Sequence, residues 1–304
     1  MASILTSISL PSEVGSRTRL RYKVELVYGG LAPTDFIFNV HAQHTPQQKV
    51  LSESVRITPD VPFAVEREPA AGNRLLRTRG EPGEFRVRYE ATVEVAYHLC
   101  DPQCVVAGAI STLPASVLRY LWPSRYCQTD HVQALAWREF GHLAPGFAQA
   151  QAVTEWVRSR IRFEVGTSGV STSALETYNQ GAGVCRDFAH LTIALLRALN
   201  YPTRFVTGVD YGADPALGPP DFHSYAEAYI GDRWWLFDAT GISPLTGLIR
   251  IGTGRDAADV AFATMFGSVR SGMPNVSFVA EEDTAAGVTL PSHPALAVST
   301  ATAT

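Results

Sequence analysis

The sequence predicts an α+β protein in which an antiparallel β domain precedes a second domain of helices packed on another antiparallel sheet. Three observations support this. Apolar and polar residues alternate between residues 15 and 97, as in strands with one buried and one wet face. The apolar period changes toward helix from about Thr129. A helix pattern at 188–199 is then followed by an aromatic hairpin pattern at 221–240.

Length and composition divide the chain into two domains and a tail. A chain of 304 residues fits about two domains, which we place at 1–115 and 116–280. Beyond Phe278, acidic residues are followed by Ala, Thr, Ser and Pro, a composition typical of poor order. Residues 281–304 are therefore predicted to be a poorly ordered tail.

Charge and hydropathy limit the partners of the chain. The net charge is −4, and no Lys and Arg cluster offsets it, so no nucleic acid is expected. No run approaches the roughly 20 apolar residues that cross a bilayer, so no membrane is expected either. The hydrophobic fraction of 46% is enough to build cores.

Cysteine usage indicates a reducing compartment. Four cysteines do not form a disulfide scaffold in a chain of this length. Residues 1–10 lack the basic residues that open a secretory signal. The expectation is a cytoplasmic protein.

The amino-terminal domain is predicted to be β-sandwich-like. Strand patterns cover 19–28, 35–40 and 84–95, and Gly and Pro residues punctuate them. Because one buried and one wet face explain the alternation, a structural role is favoured. Presentation of a surface to a substrate or partner is the alternative.

A cluster of potential metal ligands follows the last strand pattern of this domain at His98, Cys100 and Cys104. Structural zinc sites usually pair two ligand clusters at set spacing, and no second cluster is present in the sequence. An ordinary loop with two partly buried thiols is the favoured interpretation. We therefore predict no metal and no other cofactor.

Helical patterns occupy the start of the second domain. They cover 131–140 and 148–160. Ser173 and Glu176 have the spacing of a capping box, which predicts a short helical turn before the next motif. After the longer helix pattern at 188–199, a Gly- and Pro-rich loop at 212–221 is expected to border the functional site.

Cys185 is predicted to lie at the first turn of a mostly buried helix. Two glycines precede it, and apolar residues recur with helical spacing from Phe188 to Leu199. The free N–H groups and dipole of a helix N-terminus favour a thiolate over a thiol. An inert core cysteine is the alternative. His190 lies on another face of the helix, since five residues advance about 500°, and is a poor candidate base.

The hairpin pattern fixes a register if Gly231-Asp232 fills a two-residue turn. Asp238 then faces Tyr225, and His223 lies two positions along the same strand on the same side. Diagonal neighbours of this kind are roughly 7–8 Å apart, a gap that an imidazole and a carboxylate can bridge. A loop of odd length would send Asp238 to the opposite face.

These three side chains have the chemistry of a nucleophile, a base and an orienting acid. Cys185 would attack, His223 would take or share its proton, and Asp238 would fix the imidazole tautomer. Gln180 is a candidate oxyanion donor beside the backbone N–H of Cys185. A loop glutamine in water is the alternative for Gln180.

The motifs that carry these residues resemble those of the transglutaminase-like superfamily. They are Gly-Val-Cys-Arg-Asp-Phe-Ala-His-Leu, His-Ser-Tyr-Ala-Glu and Trp-Trp-Leu-Phe-Asp-Ala-Thr. The resemblance assigns the family's cysteine, histidine and aspartate to Cys185, His223 and Asp238, with Tyr225 in place of a frequent tryptophan. The stretches at 120–130 and 254–261 also resemble the microbial members.

The resemblance implies a papain-like catalytic domain and a cysteine peptidase or amidase that acts on a peptide or protein substrate. Both water and an amine are possible acceptors of the thioester, because both reactions need the same three groups. A transglutaminase or deamidase acting on glutamine side chains is therefore one alternative. A non-catalytic interaction module that kept the fold is the other. The sequence does not indicate an oligomeric state.

Overall fold

Long antiparallel strands open the chain in the computed structural model, which describes residues 16–212 and 220–302. The segment before Ser16 and most of the predicted 212–221 loop lie outside the described residues. The first six strands are β1 (Ser16–Gly30), β2 (Thr34–Phe38), β3 (Gln48–Thr58), β4 (Phe63–Arg67), β5 (Arg74–Gly80) and β6 (Gly83–Cys100).

Helices and short strands follow. They are α1 (Ala115–Leu118), α2 (Thr129–Phe140), α3 (Phe147–Arg160), β7 (Arg162–Phe163), α4 (Ala174–Gln180), β8 (Ala182–Gly183) and α5 (Cys185–Ala198). The remaining strands are β9 (Thr203–Asp210), β10 (Phe222–Ile230), β11 (Arg233–Phe237), β12 (Leu248–Gly254), β13 (Ala263–Phe266), β14 (Val269–Ser271), β15 (Asn275–Glu281) and β16 (Ala297–Thr302).

Two sheets pack face to face in the amino-terminal part. β1 pairs with β6 along its whole length, and the second sheet has the order β13-β2-β5-β4. Aromatic rings fill the space between them: Phe36 stacks on Phe85 at a centroid distance of 4.8 Å and tilts against Tyr28 at 5.2 Å. The α+β fold class and the antiparallel character of this region are confirmed.

Helix α5 lies at the centre of the second part. It packs against β9 and β10 on one side and against α2, α3 and α4 on the others. Its apolar residues from Phe188 to Leu199 are nearly all buried, as the helical spacing predicts. Burial on all sides fixes the helix axis, so the residue at its first turn has a defined position.

The two parts share one continuous sheet of order β12-β9-β10-β11-β16-β6-β1-β14. Strand β16 joins them, because it pairs with β11 on one side and with β6 on the other. Strands β13, β14 and β15 return to pair with β2 and β1. Residues 263–281 therefore complete the amino-terminal sheets, although the sequence-based division assigned them to the second domain.

The prediction of a poorly ordered tail at 281–304 is wrong for the described residues 297–302. Ala297, Val298 and Ser299 are fully buried in the shared sheet. Small and β-branched residues give this segment a composition that resembles disorder, yet such residues fit a strand enclosed between two neighbours. Pairing with distant strands, rather than composition, decides its structure.

A buried ion cluster also connects the two parts. Glu227 on β10 is fully buried and bonds both Arg204 and Arg250. The backbone N–H of Arg250 donates to Oε1 of Gln48 on β3 at 2.8 Å. The charges are paired, as buried charges must be.

The two segments at 120–130 and 254–261 meet in the core beside α5. The backbone N–H of Tyr126 donates to the Asp256 carboxylate at 2.9 Å, and the Tyr126 ring stacks on His190 at 5.0 Å. His190 accepts a hydrogen bond from the N–H of Ala257 at 3.1 Å.

Within 16–212 and 220–302, none of the helices has the length and apolarity to span a membrane.

Candidate active site

Cys185 is the first residue of α5, as the sequence predicts. The start of this helix is held by Asp187, whose fully buried carboxylate accepts a hydrogen bond from the N–H of Val184 at 2.8 Å. A Cβ at Gly183 would lie 2.7 Å from the Cβ of Asp187, so this glycine makes room for the carboxylate. The thiol therefore lies beside the free N–H groups of a capped helix N-terminus.

The β10–β11 hairpin has the register derived from its turn. Ile230 faces Arg233, and Ala226 faces Phe237. Nε2 of His223 lies 3.0 Å from Oδ2 of Asp238, across the diagonal that the two-residue turn predicts. Tyr225 stacks beside the imidazole at a centroid distance of 6.3 Å. The structure thus brings His223 and Asp238 into direct contact.

Hydrogen bonds hold both the side chain and the backbone of Asp238. Its Oδ1 accepts hydrogen bonds from the N–H of Thr240 at 2.9 Å and from the Thr240 hydroxyl at 2.7 Å. The guanidinium of Arg158 on α3 donates to the backbone carbonyl of Asp238 at 3.0 Å. Sequence patterns did not single out Thr240 or Arg158. The order Asp-Ala-Thr is the signal for Thr240, because Asp side chains commonly bond a backbone N–H two residues on.

The thiol of Cys185 also adjoins the imidazole. Its interaction with His223 contributes to the raised pKa of the ring, and its Sγ lies 3.9 Å from the backbone carbonyl oxygen of Phe222, the residue before His223. Because Asp238 occupies Nε2, the contact with the thiol falls to Nδ1, the second ring nitrogen. A helix N-terminus and a hairpin thus bring the three predicted residues together.

Charge in the site favours a protonated imidazole. Burial opposes the charged form, but the carboxylates of Asp238 and Asp210 outweigh burial and raise the pKa of His223 well above its usual 6.5. Burial likewise opposes ionisation of Asp238, but the imidazolium and the Thr240 donors lower the pKa of that carboxyl below its usual 3.8. The buried pair is therefore an imidazolium and a carboxylate.

The structure does not offer the amide of Gln180 to an oxyanion. Its Nε2 donates to the carbonyls of Thr167 at 2.8 Å and Ala182 at 3.0 Å, which uses both N–H groups. Arg186 bonds the same loop through Ser168 and Gly169. Gln180 therefore fastens the loop beside the nucleophile, and the expectation of an oxyanion donor is wrong in this geometry.

Asp210 is a further acidic residue at the site that sequence patterns did not identify. It ends β9, is 5% exposed, and its Oδ2 lies 3.7 Å from Nδ1 of His223. The Ser243 hydroxyl donates to the same carboxylate. The strand register could have identified it, since His223 faces Gly208 and Asp210 is the diagonal neighbour on that side.

The other cysteines lie away from this contact. Cys127 is fully buried, and burial raises its thiol pKa to about 12. Cys104 is exposed and Cys100 half-buried. Over the part of the chain that the structure describes, His, Cys, Asp and Glu do not form a group of three that could hold a metal ion.

Two family descriptions match the chain. Residues 135–239 match the transglutaminase-like superfamily, and residues 18–116 match a bacterial transglutaminase N-terminal domain. A solved structure from Cytophaga hutchinsonii, described as a "putative cysteine protease", is 36% identical. It superimposes with a TM-score of 0.88 over 95% of this chain and 99% of its own.

Curated relatives match over shorter regions. An uncharacterised protein of Mycobacterium leprae is 38% identical over 115 residues, which cover 36% of this chain and 41% of that protein. One from Mycobacterium tuberculosis is 32% identical over 137 residues, which cover 39% of this chain and 44% of that protein. These matches span less than half the length of either relative.

Proposed function

Because the chain belongs to the transglutaminase-like superfamily, we propose that it is a cysteine hydrolase, a peptidase or amidase, that attacks an amide or peptide carbonyl. Cys185 is the nucleophile, His223 the base and acid, and Asp238 the residue that orients the ring. One observation carries the proposal: the buried imidazole bonds the Asp238 carboxylate through Nε2 at 3.0 Å and adjoins the thiol of Cys185.

The proton path follows from this geometry. Nδ1 of His223 holds the thiol proton in the resting imidazolium, and the thiolate forms a bond to the carbonyl carbon. The same proton then passes from Nδ1 to the leaving nitrogen, which gives a thioester and a free amine. Water attacks the thioester carbonyl and gives a proton to Nδ1. The carbon–sulfur bond then breaks, which releases the carboxylic acid and restores the thiolate–imidazolium pair.

Hydrolysis is favoured over transfer to an amine because the similar Cytophaga protein is described as a "putative cysteine protease". A transglutaminase or deamidase remains the alternative enzyme, and a non-catalytic module the alternative outside enzymes. Mass spectrometry of incubated peptides separates these reactions. Cleavage supports the hydrolase, whereas an amine adduct or a one-unit mass gain without cleavage supports the alternative enzyme.

The first test needs no substrate. Alkylation by iodoacetamide is followed at each cysteine by peptide mass, from pH 5 to 9, in the native protein. We expect Cys185 to react at pH 6 at least about tenfold faster than exposed Cys104, since a thiolate stabilised by an imidazolium is the reactive species. Buried Cys127 should react only after unfolding, because burial raises its pKa to about 12.

A pair of histidine variants provides the control. His223→Ala should remove the fast reaction of Cys185, whereas His131→Ala should leave it unchanged, because the His131 side chain is 59% exposed on α2. If Cys185 is inert, or reacts with the pH dependence of Cys104, the hydrolase proposal fails. The interaction module then becomes the better explanation.

A further inference from the structure

The imidazole of His223 lies between two buried carboxylates from the two neighbouring strands. Asp238, which follows β11, bonds Nε2 at 3.0 Å, and Asp210, at the end of β9, lies 3.7 Å from Nδ1. Both are diagonal neighbours of His223 in the sheet. Gly208, directly opposite His223 on β9, has no side chain to separate Asp210 from the ring.

We propose that Asp210 is a positioning residue of this site, whose carboxylate faces Nδ1 of His223, holds the ring turned toward Cys185 and stabilises its protonated form. The proposal rests on the function proposed above for Cys185 and His223. The hydroxyl of Ser243 fixes the carboxylate by donating a hydrogen bond to it. Because Asp210 and Ser243 are 5% and 1% exposed, water screens their contacts weakly.

The charge balance around the ring supports this role. Among the described residues, titratable groups around His223 are Asp238 after β11, Asp210 on β9, Tyr225 on β10 and Cys185 on α5. Asp221, two residues before His223, interacts with Asp210. The Asp238 carboxylate acts at Nε2. The Cys185 thiolate and the Asp210 carboxylate can therefore both balance positive charge on the Nδ1 side.

Asp210 matters most once the thiolate has been consumed. In the thioester the sulfur carries no negative charge, so of these two groups Asp210 alone can still balance the charge of the ring. Its field makes the imidazole a stronger base at the moment when an acceptor must give up a proton to Nδ1. The proton passes from the acceptor to Nδ1, and Asp210 takes no part in the transfer.

Titration of His223 by NMR in a chain without the thiol tests this directly. The Cys185→Ala variant reproduces the charge state in which the thiolate is absent and the Asp210 carboxylate remains. In this variant the pKa of His223 should stay above 6.5. Adding Asp210→Asn should lower it by about one unit or more, the usual effect of removing an opposite charge at this distance. The His223→Gln spectrum identifies the signals of the ring.

Two controls keep the test decisive. Asp232→Asn, added to Cys185→Ala, removes a carboxylate whose side chain is 87% exposed in the hairpin turn, and it should leave the His223 titration unchanged. Ser243→Ala keeps the Asp210 carboxylate but removes the hydrogen bond that fixes it beside Nδ1, so the pKa of His223 should fall. Ser243→Ala replaces Asp210→Asn as the test variant if Asp210→Asn does not fold.

A titration of His223 that is the same with and without Asp210, or that does not fall in Ser243→Ala, overturns the proposal. The outcome is independent of turnover, because Cys185→Ala cannot form a thioester. If Cys185 proves inert to alkylation while Asp210 still shifts the His223 titration, the proposed hydrolase fails and only the electrostatic role of Asp210 stands. If Cys185 is reactive and the titration does not move, only the role of Asp210 fails.

Discussion

At the scale of single residues, the site depends on how the buried charges are balanced. His223 and Asp238 are both nearly inaccessible to water, and burial alone would favour their neutral forms. Their contact at 3.0 Å reverses both tendencies, because each charge stabilises the other. Removing either charge therefore has a larger effect than the loss of one exposed hydrogen bond.

Asp238→Asn tests this balance at the residue scale. The substitution keeps the shape of the side chain but removes the negative charge, so the pKa of His223 should fall by about one to three units. Alkylation of Cys185 at pH 6 should then slow by at least about tenfold, because the imidazolium that stabilises the thiolate is lost. Peptide-mass mapping of the alkylated protein measures the rate.

Thr240→Ala is the matched control for that variant. It removes the hydroxyl that donates to Oδ1 of Asp238 at 2.7 Å but leaves the carboxylate charge. Its effect on alkylation should be smaller than that of Asp238→Asn. Equal rates in the wild type and Asp238→Asn would contradict an electrostatic role for this carboxylate.

At the scale of elements, local sequence rules predicted the site where a short turn sets the geometry. The Gly231-Asp232 turn fixes which residues of β10 and β11 face each other, so the contact of His223 with Asp238 followed from period-two alternation. Asp210 was missed because β9 and β10 are joined by a longer connection, whose length does not set a register. Gln180 was misassigned because sequence proximity to Cys185 does not determine the direction of an amide.

The capped first turn of α5 positions the nucleophile. Asp187→Ala removes the carboxylate that caps the helix at the N–H of Val184, and we expect a loss of about 1–2 kcal/mol in the free energy of unfolding. The first turn would loosen, so alkylation of Cys185 at pH 6 should also slow. Urea unfolding and peptide-mass mapping measure the two effects.

A second acidic residue in a first turn provides the comparison. Asp130 lies in the first turn of α2, and its side chain is 66% exposed. Asp130→Ala removes a similar charge from a helix N-terminus, yet it should cost less than about 0.5 kcal/mol and leave Cys185 unaffected. Equal losses in the two variants would indicate that the charge, and not the buried cap, explains the effect.

At the scale of the whole molecule, pairing between strands that are distant in sequence determines structure that composition does not predict. The alternation of β1 and β6 predicted an antiparallel amino-terminal region, and the structure has it. Strand β16 was assigned to a disordered tail, because Ala, Ser and Thr are typical of both disorder and tightly enclosed strands. Its position between β11 and β6 depends on residues about 65 and 200 positions away, a relation that no local pattern contains.

The joining role of β16 predicts that its buried residues stabilise the whole chain. Val298 is fully buried in the core that includes the amino-terminal sheet and one face of β9 to β12. Val298→Ala removes two methyl groups and leaves a cavity, so the free energy of unfolding should fall by about 2 kcal/mol. Val279→Ala on β15 is the matched control, since Val279 is 48% exposed and should cost less than about 0.5 kcal/mol.

The way in which Val298→Ala unfolds distinguishes a shared sheet from two independent domains. With a shared sheet, the midpoints reported by tryptophan fluorescence, whose five indoles all lie between residues 122 and 235, and by circular dichroism of the whole chain should shift together in urea. Separate transitions, or a Val298→Ala variant as stable as Val279→Ala, would show that β16 does not couple the two parts. The residues that hold Cys185, His223 and Asp238 would then depend on the second part alone.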